Sequence, residues 1–386
     1  MRKLFLIAAI GVAVSGCSSI TKAFRSKNSA EPPKELVKFA ETVKFEKVWS
    51  ASLGKAPIKS GGRLAPAYAN GRVFLADADG NVAGFDVDSG RKLWEVETDA
   101  RLSGGPGAGA GAVVVGSLDG DVIALNPETG ASLWRVRASS EVLAAPAVGL
   151  EQVIVRSNDG TVVSLDIAAG ERKWIVSKTL PLLTLRGSSA PVLLTDRVLV
   201  GFDSGRVVAL KSSDGAQIWE QSLADAEGRT ELERINDIDG AVVVDNNEIF
   251  AVAYNGRTAQ LDPDSGRTVW VRDVSSSAGV GISATQAFVS TSNSAIEGLD
   301  RRTGASLWKQ DAFERRSLTA PAEVNGLVVV GDYEGYLHAL KADTGALVGR
   351  VKQGGKGFAV APIVIGPMVY AFDRSGTLTA YRLSGG

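Results

Sequence analysis

The chain has 386 residues, 45% of them hydrophobic and 22% charged, and no low-complexity tract is long enough to imply extended disorder. Length alone would divide it into two or three domains, yet closed all-β architectures often exceed the usual domain size as single units, so length excludes neither arrangement. Lysines and arginines number 42 against 43 aspartates and glutamates, which removes any bulk electrostatic reason to expect nucleic acid or an acidic membrane surface as partner.

At the N-terminus, Arg2 and Lys3 precede an apolar run from Leu4 to Val14. The run is too short to span a bilayer as a permanent helix and reads as an export signal, residues 1–16. It ends in Val14-Ser15-Gly16-Cys17, which resembles the lipobox of bacterial lipoproteins. The resemblance implies removal of the signal and acylation of Cys17, the only cysteine, so that no disulfide can form within the chain. Ser18 stands where an Asp would, in such lipoproteins, imply retention at the inner membrane. The expected location is therefore the outer membrane, lipid-anchored and facing the periplasm. Residues 17–44, the cysteine followed by a stretch rich in Ser, Lys, Glu and Pro, read as a flexible tether.

Residues 45–386 repeat. Six segments carry a Gly followed four residues later by Trp, from DSGRKLW (Asp88 to Trp94) to RTGASLW (Arg302 to Trp308); a seventh, DTGALVG, has Gly349 at the Trp position. Trp49 stands alone before the first, so every tryptophan occupies one repeat position. Within a unit, Asn-Gly, Asp-Gly and Ser/Thr-Gly corners separate four short strands, because such turns need residues that tolerate positive φ. Four strands per unit is a propeller blade. The last unit stops after its third strand and the strand around Trp49 has no blade before it. Pairing the N-terminal strand with the last unit closes an all-β, eight-bladed propeller of four-stranded antiparallel blades and removes exposed edges.

Catalytic groups are scarce. His338, the only histidine, lies in an apolar strand, YLHAL, and reads as a strand residue. No second histidine or cysteine exists to build a zinc site, and the carboxylates fall mainly at turn corners, where they cap backbone N–H groups. The stretch from Gly104 to Ala112 has the glycines of a phosphate loop without the Lys-Ser/Thr or the helix that would make one. No catalytic, metal or cofactor-binding residue is assigned. The Gly-x-x-x-Trp repeat resembles that of quinoprotein alcohol dehydrogenases, where an adjacent-cysteine disulfide lies over the quinone and Ca²⁺ orients it. That family supplies the enzyme alternative; a ligand-binding propeller is another.

From Trp94 onward the repeat is broken in one sector. Successive tryptophans lie 40 residues apart from Trp94 to Trp174, then 45 from Trp174 to Trp219 and 51 from Trp219 to Trp270. Both lengthened linkers lead from a Trp strand into the next blade, so they share a face and lie side by side. The first, Lys178 to Gly187, holds Leu180, Leu182, Leu183 and Leu185 beside Arg186; they either cap the channel or form a docking patch with an arginine anchor. The second contains ELERI, which looks briefly helical, and Asp237 and Asp239, which either meet a basic partner or brace the loop.

These features together resemble the BamB family of outer-membrane protein assembly factors. The resemblance runs over nearly the whole chain and is carried most specifically by Leu183-Thr184-Leu185-Arg186-Gly187-Ser188-Ser189-Ala190-Pro191 and Asp237-Ile238-Asp239. It implies a non-catalytic scaffold that docks on the periplasmic POTRA region of BamA through Leu183, Leu185, Arg186, Asp237 and Asp239. It also implies the other BAM complex subunits as partners, and unfolded outer-membrane proteins as further ones.

Overall fold

The computed structural model describes residues 32–54, 63–109, 111–181, 189–224, 237–238, 240 and 242–385. The chain divides between Pro33 and Lys34 into two units, and the second carries all the regular structure among the described residues. Every regular element there is a strand, and the strands group in eight sheets. Blade one, for example, comprises Ala67–Ala69, Arg72–Ala76, Asn81–Asp86 and Lys92–Glu97 in that order, each antiparallel to the next. Blades two to seven span 102–137, 147–177, 192–222, 243–272, 280–310 and 322–352. Blade eight combines Ile363–Ile365, Met368–Phe372 and Thr377–Ser384 with the N-terminal strand Lys44–Ser52, paired from Lys44↔Ser384 to Ser52↔Thr377. Ring closure is as the repeat predicts.

Burial follows from this stacking. The two middle strands of a blade face a neighbouring blade on both sides, so they read as unbroken apolar runs; Val73 to Ala76 and Val328 to Val330 are all within 1% of full burial. The outer strands alternate instead, as in Arg172–Ser177, where Trp174 is the buried residue. One addition escapes the repeat: Arg63–Leu64 adds a short parallel strand beside Leu102–Ala108 in blade two, with Leu64 buried against Phe74 and Leu102. The glycines of the stretch from Gly104 to Ala112 lie largely in an inner strand, Leu102–Ala108.

The tryptophans fasten each blade to the next. Each indole N–H donates to a backbone carbonyl in the last turn of the following blade, from Trp49 to Val87 through Trp308 to Ala342, at 2.8–3.0 Å. The glycine of that turn has φ between +67° and +75°, and a Cβ on it would lie 2.3–2.7 Å from the arriving ring. Gly and Trp of one motif therefore serve two different interfaces, and both positive φ and the absence of a side chain are required.

Seven tryptophans serve eight interfaces. The eighth lies between blades seven and eight, where the expected last turn is replaced by the two chain ends. There a Cβ on Gly349 would meet the Val43 carbonyl oxygen at 2.6 Å, and Val43, 1% exposed, joins Ala339 and Val348 in a small core. This corrects the tether boundary. From Lys34 onward the expected tether is fastened to blade seven: Thr42 and Val43 both donate to the Val348 carbonyl at 2.9 Å, and the Arg350 guanidinium lies 4.9 Å from the centroid of Phe39. Val43 of this extended segment fills the apolar site where the ring closes without a tryptophan, and Phe39 lies against Arg350 beside it.

Candidate partner-docking site

Strand direction places the turns between second and third strands, and the linkers between blades, on one face of the ring. In six blades the residue heading the former turn is polar: Asp77, Ser117, Ser157, Thr291, Asp332 and Asp373. Its side chain commonly accepts backbone N–H groups of the turn, as when Asp77 Oδ1 accepts from Asp79 at 3.0 Å and Asn81 at 2.9 Å. This is the corner role the sequence assigns to the carboxylates. Blades four and five depart from it with Phe202 and Ala253, and these are the blades entered by the two long linkers.

The apolar replacements seat the linkers. Leu180, on the first linker, packs in the cluster formed by Ile154, Val162, Phe202 and Val208. Where that linker returns, Ser189 is fully buried and its Cβ lies 3.1 Å from where a Cβ on Gly201 would sit; Ile238, on the second linker, lies at 2.5 Å from the same point. Ile238 N also donates to the Phe202 carbonyl at 3.3 Å. Ala253 packs with Leu223, Ala224 and Ile238, so the second linker is seated at both described ends. The stretch Gly201-Phe202-Asp203 is thus a common floor for both linkers.

Blade three locks this floor. Arg156 is wholly buried, its guanidinium 5.3 Å from the Phe202 ring centroid and paired with buried Asp203. The corresponding residues elsewhere are Ala76, Gly116, Gly201, Val252, Ser290, Gly331 and Phe372. A lone arginine in that column was the signal that sequence reasoning missed. Beside it, Lys178 donates to Gln217 Oε1 at 2.6 Å and Glu220 Oε2 at 2.8 Å, while Arg206 donates to Glu220 Oε1 at 2.6 Å. The hydrogen bonds from Lys178 and then Arg206 hold the Glu220 carboxyl below its ordinary range.

Of the residues named from sequence, Leu183, Leu185, Arg186 and Asp239 lie outside the described residues, as do ELERI and Cys17. Asp237 is described and is fully buried, with its carbonyl accepting from Tyr254 N at 2.8 Å. His338 is also fully buried, with Nε2 3.1 Å from Asp332 Oδ2 and Nδ1 accepting from Arg350 Nε at 3.2 Å.

On the propeller axis lies a cavity of about 450 Å³; among the described residues it is lined largely by small side chains such as Ala144, Ala190, Ala278, Ala320 and Ala361, with Arg374 as the one charged side chain. The described part of the lining does not fit pyrroloquinoline quinone, an anionic tricarboxylate: among the described residues it offers that group a single cation, and no three His, Cys, Asp or Glu side chains come together to hold a metal ion.

The architecture defines the class: an eight-bladed propeller whose distinguishing surface is a pair of lengthened linkers. Quinohemoprotein alcohol dehydrogenase from Comamonas testosteroni shares the fold, with a TM-score of 0.68 at 14% identity over 89% of this chain and 76% of its own. The solved BamB of Moraxella catarrhalis superposes with a TM-score of 0.80 at 28% identity, over 88% of this chain and 99% of that one. The family model for outer membrane protein assembly factor BamB matches residues 40–101, 78–310 and 292–386. Curated relatives bearing that name include those of Pseudomonas aeruginosa, 47% identical over 98% of both chains, and Xanthomonas campestris pv. campestris, 41% identical over 99% of this chain and 98% of the relative. The chain belongs to the BamB family of outer-membrane protein assembly factors.

Proposed function

We propose that this protein is a non-catalytic scaffold of the outer-membrane β-barrel assembly machinery that docks on the periplasmic POTRA region of BamA through the paired linkers of blades four and five. The observation that carries the reading is the common floor: the described ends of two consecutive lengthened linkers meet on Gly201 and Phe202. Leu183 and Leu185 enter an apolar groove on the partner, each burial contributing roughly 1.5–3 kcal/mol. Arg186 makes charge-assisted contacts and Asp239 aligns the partner, while Asp237 braces the second linker from within.

In this reading acylated Cys17 holds the protein at the periplasmic side of the outer membrane, where two acyl chains suffice for stable attachment at about 0.8 kcal/mol per buried methylene. The other BAM subunits are its neighbours and unfolded outer-membrane proteins its indirect clients. The test is capture of the BamA periplasmic domains by the chain lacking residues 1–17. Capture lost in Leu183→Ala/Arg186→Ala supports docking through the first linker. Equal capture by both chains would remove that assignment, and no capture by either would remove BamA as the partner.

A further inference from the structure

Three features of blade seven stand outside the repeat and converge on one place: the chain's only histidine, Gly349 in a tryptophan position, and a buried arginine at the entrance to the blade. Arg316, 2% exposed, donates through Nε to Asp332 Oδ2 at 2.8 Å and pairs with Glu334. Asp332 also faces Nε2 of His338, and Nδ1 of His338 accepts from Arg350. The acceptor role of Nδ1 places the ring proton on Nε2, toward Asp332, so one carboxylate orients both arginines, Arg316 directly and Arg350 through the imidazole. Burial holds His338 below its ordinary pKa, which keeps Nδ1 available as an acceptor.

Each arginine has a further donor, and both point at the same stretch of backbone. Arg316 Nη1 donates to the Lys34 carbonyl at 3.0 Å, and Arg350 Nη1 to the Val37 carbonyl at 3.1 Å. Phe39 lies against the Arg350 guanidinium and Val43 fills the Gly349 site. At the upstream end, Lys34 N donates to the Glu314 carbonyl at 3.1 Å and Lys34 Nζ to the Asp311 carbonyl at 3.1 Å. Glu314 and Asp311 belong to the linker between blades six and seven, on the face that carries the two long linkers.

We propose that residues 34–43 are a strap clasped by Arg316 and Arg350, and that the clasp fixes the point at which the N-terminal segment leaves the propeller: on the linker face, at blade seven, three blades round from blade four. The clasp reads backbone carbonyls and one aromatic ring, so it recognises an extended segment of this chain more by geometry than by charge. Its consequence for an anchored protein, which rests on the lipid-anchor reading above, is a shortened leash. Release of the ten clasped residues would add about 33–36 Å of reach and leave the docking face free to turn.

The test is limited trypsin cleavage after Lys38 in the full chain, followed by mass spectrometry. The clasp predicts that Arg316→Gln/Arg350→Gln is cut at least about tenfold faster than wild type. Phe39→Ala, which lies outside every sheet, should be cut faster by the same order with unchanged urea unfolding, separating loss of the strap from loss of the fold. Wild type cut at the rate of a free 30–43 peptide would overturn the proposal, as would Phe39→Ala and the double variant cut no faster than wild type. A Cys17→Ser chain keeps the same resistance, so a failure of the anchor reading would leave the clasp standing.

Discussion

Six blades head their outer-face turn with Asp, Ser or Thr, whereas blades four and five use Phe202 and Ala253. In five of the first group, Ser157 being the exception, the turn is stabilised by its own side chain, as Ser117 Oγ does by accepting from Asp119 and Asp121 N–H. In the second, an apolar surface takes over and the arriving linker supplies the packing. The difference teaches where the propeller frame gives way to a surface built for something else. A turn that caps itself needs no neighbour, while a turn headed by phenylalanine must be covered.

The largest expected effect comes from the lock beneath that surface. Arg156→Ala leaves Asp203 buried without its partner and should lower unfolding free energy by about 3–5 kcal/mol in urea titration, whereas Arg156→Met/Asp203→Leu should be close to neutral. Equal losses in the two variants would mean that shape, and not charge pairing, holds the floor. Next, Phe202→Ser gives blade four the turn residue of blade two, Ser117. Removing the ring costs about 3–5 kcal/mol and a new turn hydrogen bond returns about 1, for a net loss of about 2–4. Ser117→Ala, in a self-capped blade, should cost only about 1 kcal/mol.

A smaller contrast is set by pH. Burial lowers the His338 pKa in the folded state, against hydrogen bonding to Asp332, so the unfolded chain binds a proton more readily. Stability is then fully present above the ordinary histidine value of about 6.5, and it falls as pH drops from there toward the lowered folded value. His338→Gln should flatten this slope in denaturation curves measured across that interval. Arg350 and Arg316 near the ring reinforce the slope, since an imidazolium would face two cations. The smallest effect belongs to Lys178, whose pairing with Glu220 is partly exposed; Lys178→Ala should change stability by less than about 1 kcal/mol.

The sequence displays the ring and its closure because both depend on local chemistry repeated at a fixed period: turn residues at the corners, one tryptophan per outer strand. It does not display who touches whom. Gly130 receives Trp94 and not the Trp134 of its own motif, a pairing that exists only once blades are stacked. Linker lengths mark blades four and five, but the seat beneath them depends on Arg156 and Asp203, 47 positions apart and joined only by the fold. Asp237 is ambiguous in role from sequence, since burial of a loop carboxylate is a tertiary property. The strap was hidden for the same reason: its composition is that of a tether, and only the vacant tryptophan site at Gly349 gives it a groove.

The central claim is that the partner meets the linker face. A photo-cross-linking amino acid at position 185, on the first linker, can be compared with one at position 150 on the opposite face, where Leu150 is 82% exposed. Mixed with the periplasmic domains of BamA, the chain labelled at 185 should give a cross-linked product and the chain labelled at 150 should not. Cross-linking from position 150 alone would contradict the assignment of the docking face.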